Sequence, residues 1–237
     1  MSKKLTALAG LAASLVFAAG PALAGDVTGT ITYTGKVPNL KPIAMDADPV
    51  CKSKHSTPAP SEALVLGSGN TMANVMVRVK GPVAGAVPPV PAQPAVIDQK
   101  GCQYHPHVLG LRVGQTLQLR NSDGLLHNVH ALPKVNSPFN MAMPANRLTA
   151  DTKFGKEEGM FLVKCDVHPW MNAYVGVFTN PYFAVSGTDG KYKISGLPPG
   201  TYEIEAWHEK LGTQTAKVTV AADKPGAANF SFAPPAK

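Results

Sequence analysis

Cys165, His168 and Met171 follow one another at intervals of three within Cys165-Asp-Val-His-Pro-Trp-Met171. A thiol, an imidazole and a thioether on one short segment can turn towards a single metal, and Pro169 stiffens the turn between the last two. A fourth ligand must come from elsewhere. His127 is the natural candidate, because it stands where the turn Asn121-Ser-Asp-Gly124 ends and an apolar stretch begins. Two imidazoles, one thiolate and one weak axial thioether are the donor set of a mononuclear copper that carries single electrons. Cu(I) favours sulfur and Cu(II) favours imidazole, so a rigid mixed set serves both states with little rearrangement. His130 competes for the fourth position, and three residues apart on a strand the two histidines face opposite ways, so one of them at most reaches the centre.

Other chemistries fit these residues less well. Structural zinc draws on more cysteines and gives Met171 no purpose. A Cys-His nucleophile lacks an evident orienting group or oxyanion donor, so no catalytic residues and no enzyme activity are expected. A merely structural cysteine leaves the repeated spacing unexplained.

The cysteine count supports a ligand. Lys3 and Lys4, the apolar run Leu5–Phe17 and Ala22-Leu-Ala24 read as a cleaved signal peptide over residues 1–24, which implies a periplasmic protein with no membrane span after cleavage. Left uncleaved, the same segment would be an anchor. Three cysteines in an oxidising compartment leave one over. If Cys51 pairs with Cys102, Cys165 is free, and a free exported thiol oxidises unless a metal or burial protects it.

Removing the two leader lysines takes the formal charge from +7 to +5. The lysines are scattered rather than clustered, so the sequence gives no support to a nucleic-acid groove and implies at most a bias towards acidic partner proteins, with no nucleic-acid partner expected. The elements that must position the ligands are strands. Alternating segments separated by Gly, Pro, Asn and Asp predict an almost all-β chain, with strands near 27–33, 74–79, 108–111, 116–120, 128–132, 160–164, 173–178, 191–194, 201–207 and 213–220. Prolines at 82, 88, 89, 91 and 94 make residues 83–94 an extended linker.

Leu126-His-Asn-Val-His130 and Cys165–Met171 resemble the two ligand segments of the cupredoxins, the compact second loop being more like amicyanin than plastocyanin. Val108–Asn121 resembles the strand pair that leads to the first histidine. The resemblance covers roughly residues 95–179 and implies a Greek-key sandwich, one copper ion held by His127, Cys165, His168 and Met171, redox partner proteins and no small-molecule substrate. It selects His127 over His130. It also implies that Asn128 turns its backbone N–H to the Cys165 sulfur while its side chain ties the ligand loops together, and that electrons pass through an exposed edge of His168. Leu125, Pro169 and Trp170 would then lie around the ligand loops as an apolar partner patch, the alternative being that Trp170 folds inward as core.

Downstream, Asp189-Gly190 and Pro198-Pro-Gly200 punctuate short strands in a pattern that resembles the carboxypeptidase regulatory-like domain, a small prealbumin-like β-sandwich without peptidase activity. Such a domain normally begins with strands like Val27–Tyr33 and Ala73–Val79. Residues 25–82 and 180–234 are therefore expected to form one discontinuous sandwich with the cupredoxin unit inserted, the alternative being a simple tandem. His208 and Glu209 read as surface or interdomain contacts.

His55, His105 and His107, brought near one another by a Cys51–Cys102 bridge, could form an accessory metal site, and Met141 and Met143 could bind Cu(I). Such sites would favour a rival function as a copper-delivery or copper-resistance protein. A third class, a structural or adhesive β protein with a vestigial site, requires that no copper bind.

Overall fold

Alternation of apolar and polar side chains sorts the strands into two cores. The computed structural model describes residues 24–234 apart from Ala86 and Asp223. The signal peptide expected over residues 1–24 lies outside them, save for Ala24.

Two strands precede the ligand region: β1 (Gly25–Tyr33) and β2 (Met76–Lys80). Between them lies the helix α1 (Pro49–Ser53). Nine strands follow: β3 (Ala95–Lys100), β4 (Gln103–His105), β5 (Val108–Arg112), β6 (Thr116–Asn121), β7 (His127–Ala131), β8 (Phe139–Met143), β9 (Thr149–Lys153), β10 (Glu158–Lys164) and β11 (Asn172–Phe178). They make one sheet in the order β4-β3-β6-β9 and another in the order β5-β11-β10-β7-β8. Ile97, Leu117, Leu119, Val129, Val163 and Val175 fill the space between. In β6, Leu117, Leu119 and Asn121 turn inwards while Arg120 faces water.

The remaining strands are β12 (Phe183–Val185), β13 (Lys191–Leu197), β14 (Gly200–His208), β15 (Gly212–Val220), β16 (Gly226–Ala227) and β17 (Phe230–Phe232). They pair with the two strands at the start of the chain, as β12-β2-β14-β15 and as β13-β1-β16 with β17 also on β1. Val27, Ile31, Val77, Ile204 and Phe230 belong to this second core. The predicted fold class, all-β with two sandwiches, describes the chain. Strands β3, β4, β8, β9, β12, β16 and β17 were not predicted. They are short or poor in β-branched residues, and cross-strand pairing rather than intrinsic preference holds them.

Strand β11 is buried almost throughout, unlike a strand with one wet face. Ala173, Val175 and Val177 face the first core, whereas Tyr174 and Phe178 meet Met76, Phe183 and Trp207 of the second sandwich. Arg78 of β2 lies over the Phe178 ring at 5.0 Å and pairs with Glu157 at 3.2 Å and Glu205 at 2.7 Å. The two sandwiches thus share an apolar interface with an ionic rim. Among the described residues, no helix is long and apolar enough to cross a membrane.

Gly110 of β5 lies at that interface, where an added Cβ would come within 2.7 Å of the Phe183 ring and 3.1 Å of Met76 Cε. Gly110→Val should therefore cost about 1–3 kcal/mol through overpacking. A denaturant midpoint unchanged from wild type would show that these faces do not pack as described.

Candidate metal centre

The ligand loop is held by its own backbone. Cys165 N–H donates to Met171 O at 3.1 Å and Met171 N–H donates to His168 O at 2.9 Å, which closes the segment between β10 and β11 into a tight turn. His127 opens β7, which pairs with β10 through Ala131 and His130. His127, Cys165, His168 and Met171 are 0, 2, 3 and 1 % exposed.

Two nitrogens and one sulfur converge. His127 Nδ1 and His168 Nδ1 are 2.9 Å apart, and ligand atoms of His127, Cys165 and His168 all lie within 4.8 Å of one another. The outer nitrogens are engaged elsewhere. His127 Nε2 contacts Asp123 Oδ2 at 2.9 Å and His168 Nε2 contacts Asp48 Oδ2 at 3.0 Å. Each imidazole therefore turns Nδ1 to the centre. Burial pulls the pKa of His127 down, but its hydrogen bonds to Asp123 and Cys165 outweigh this and hold it at about 8.

The thiol is prepared to ionise. Burial raises its pKa, but the His127 imidazole and the backbone amides of Asn128, His168 and Val167 bring it down to about 7. Asn128 ties the loops as its position implies: its Oδ1 accepts from Asp166 N–H at 2.7 Å and lies 3.3 Å from the Cys165 sulfur, while its Nδ2 donates to Asn140 and Asp166. Tyr104, fully buried, donates its hydroxyl to the Asn128 carbonyl. His130 lies outside the centre, bonded to Asp166 at 2.9 Å.

Three sequence expectations need correction. The edge of His168 is not exposed, because Asp48 of a segment more than a hundred residues upstream covers it. Of the expected apolar patch only Pro169 is exposed. Leu125 and Trp170 turn partly into the core, and Trp170 Nε1 donates to the Cys102 carbonyl at 3.1 Å. The exposed apolar residues beside the ligands are Leu126 and Val167, at 52 and 45 %. His208 is neither a surface nor an interdomain residue but lies buried against Phe232 of the second core, where burial lowers its pKa to about 4, whereas Glu209 makes the interdomain contact expected of it.

His55 and His105 stand at the same β3–β4 turn, whereas His107, Met141 and Met143 turn into the protein. His55 Nε2 meets Gly101 O at 2.7 Å and His105 Nε2 meets Lys100 O at 3.2 Å. Buried His107 bonds Glu209 across the two sandwiches at 2.7 Å, and Glu209 in turn accepts from Tyr174. Met141 and Met143 turn towards the first core from β8. The metal-competent groups among the described residues all involve His127 or His168. Asp48, Asp123 and Tyr104 were missed. The available signals were the Asp48-Pro49 helix start and the four-residue step from Asp123 to His127.

Residues 168–233 match the family model of the carboxypeptidase regulatory-like domain. A search of curated proteins finds no match. Among solved structures, a Cu-containing nitrite reductase (NirK) from Thermus scotoductus SA-01 is 22 % identical over 41 % of this chain and 25 % of its own, with a TM-score of 0.34. This chain thus spans about a quarter of that enzyme. The Cu(I) form of an amicyanin carrying one methionine-to-alanine substitution is 22 % identical over 43 % of this chain and 98 % of its own, with a TM-score of 0.33. A purple cupredoxin from Nitrosopumilus maritimus is 24 % identical over 35 % and 99 %, with a TM-score of 0.30. At such identity and overlap the donor atoms, not the neighbours, carry the chemistry. The chain is similar to two families, the carboxypeptidase regulatory-like domains and the cupredoxins, which are the two that its motifs resemble.

Proposed function

We propose that the chain is an exported, periplasmic blue copper protein that passes single electrons between protein partners, with His127, Cys165, His168 and Met171 as ligands. The observation that carries this reading is the convergence of two buried Nδ1 atoms and one buried thiol whose pKa lies near neutrality. The donor set fits copper: both outer imidazole nitrogens are already occupied, so Nδ1 is the atom left for an ion, and nitrogen and sulfur are presented together. When bound, copper would supply a one-electron couple between Cu(I) and Cu(II).

The chain's own residues do the rest. Asn128 and the loop amides hold the sulfur as thiolate, and the apolar core around them excludes water. Such a protein has no substrate and is not an enzyme. Export is supported by the leader pattern of residues 1–24 and by the Cys51–Cys102 disulfide. Leu126, Val167 and Pro169 would meet the partner in place of the patch first expected. The delivery reading loses support because His55, His105 and His107 are each bonded to a protein oxygen and Met141 and Met143 turn towards the first core. The strand pairing supports one discontinuous domain drawn from residues 25–82 and 180–234, with 95–179 inserted and 83–94 as the connection, except that Met45, Cys51 and Ala59 of the first segment pack into the core of the inserted unit.

Cu(II) titration of the mature protein, followed by visible absorption and EPR, should give an intense thiolate-to-copper band that saturates at one equivalent and is missing in Cys165→Ser. Weak Cu(II) features indifferent to that substitution would sink the electron-carrier reading. Asn128→Ala removes a carboxamide that bridges both ligand loops, and should lower the unfolding free energy of the metal-free protein by about 2 kcal/mol. Denaturant titration measures this, and an unchanged midpoint would deny Asn128 its tying role.

A further inference from the structure

The disulfide stands directly behind the two imidazoles. Ligand atoms of Asp48, Cys51 and His168 lie within 4.8 Å of one another, as do those of Cys102, Asp123 and His127. On one side, Cys51 N–H and Val50 N–H donate to Asp48 Oδ1 at 3.2 and 2.8 Å, and Asp48 Oδ2 meets His168 Nε2. On the other, Cys102 N–H donates to Asp123 Oδ2 at 2.8 Å and Gly101 N–H to Oδ1 at 2.7 Å, and Asp123 Oδ2 meets His127 Nε2. Each half-cystine thus steadies the carboxylate that steadies one imidazole. The Cys51–Cys102 bond joins the halves.

Resting on the copper reading above, we propose that Asp48 and Asp123, yoked by the Cys51–Cys102 disulfide, are positioning residues that clamp both metal-facing imidazoles from behind.

Local geometry explains how the clamp is built. Gly101 and Cys102 form the two-residue turn between β3 and β4, both with positive φ (64° and 51°). In that turn their N–H groups reach the Asp123 carboxylate together. Asp48 is the N-cap of α1, so its carboxylate is held by the first helical amides while its second oxygen is free for His168. Two further ties fasten the cap segment to the turn: Lys54 Nζ to Asp123 at 3.3 Å and His55 to the Gly101 carbonyl.

The clamp has two consequences. A carboxylate on Nε2 fixes the tautomer in which Nδ1 is bare, and it makes the imidazole a stronger donor, which favours the higher charge on a bound ion. The Asp48 cap also closes the His168 edge to outside ligands. Carboxylates behind ligating histidines typically account for about 10–100-fold in metal affinity.

The test uses the full mature chain with three variants. Nitrogen-15 NMR of the metal-free protein reads the tautomer of His168. Wild type and Asp48→Asn, which keeps an acceptor and a good helix cap, should show the proton on Nε2, whereas Asp48→Ala should show a tautomer mixture. In the copper-loaded forms, transfer to a chelator should be about 10–100-fold faster for Asp48→Ala. The reduction potential should rise in both Asp48 variants, because charge is lost in each. The double substitution Cys51→Ala/Cys102→Ala should speed copper loss with both aspartates present. Wild-type tautomer, potential and copper retention in Asp48→Ala would overturn the clamp. So would a rise in copper loss without any change of tautomer or potential, since that marks a merely structural segment. If wild type binds no copper through Cys165, the copper reading fails while the tautomer measurement still decides the clamp.

Discussion

Two imidazoles and a thiol buried at one point are the constraint on which the rest depends. A buried polar group left unpartnered costs about 1–3 kcal/mol, and here three buried polar side chains crowd within 4.8 Å inside an apolar core. The surroundings answer with a partner for every heteroatom that does not face the centre. Asp48 and Asp123 take the two Nε2 atoms, and the amides of Asn128, Val167 and His168 face the sulfur. What remains pointing inwards is Nδ1, Nδ1 and sulfur, three of the four donors expected from residue types, with Met171 buried at the end of the same loop.

The partners come from far along the chain. The stretch between β1 and β2 leaves one sandwich and crosses to the other: Leu64 and Leu66 pack on the second core, whereas Met45, Cys51 and Ala59 are buried in the first. It is this crossing that brings Asp48 over His168. With β1 and β2 on either side of the crossing, a cap drawn from one sandwich covers the ligand loop of the other. A free-standing unit of residues 95–179 would contain all four proposed ligands and only half of the clamp.

How much of this was legible follows from sequence distance. Cys165, His168 and Met171 sit on one seven-residue segment, so their chemistry could be read from spacing. The parity of three cysteines pointed to Cys51–Cys102, and the structure contains that disulfide. His127 was favoured by its place at the end of the Asn121–Gly124 turn, but the choice between it and His130 required the family likeness. Asp48 could not be found in this way, since its contact with His168 spans 120 residues and no motif marks a carboxylate for an imidazole edge. For the same reason the His168 edge was expected to be open. Strands such as β9, Thr149–Lys153, were missed because their preference is weak and pairing with β6 holds them.

Rigidity at the centre therefore depends on how the two sandwiches are held together. Their interface is fastened at one end by His107, Glu209 and Tyr174, and at the other by Arg78 with Glu157, Glu205 and the Phe178 ring. Tyr174 and Phe178 both belong to β11, the strand that leaves the ligand loop immediately after Met171. A shift between the sandwiches would pull on that strand and on the capping segment together, so it would disturb His168 from both sides. An electron-transfer site needs ligands that stay put when the ion changes charge. On the electron-carrier reading proposed above, that requirement would reach beyond the ligand loops to the apolar interface and to the disulfide behind the histidines.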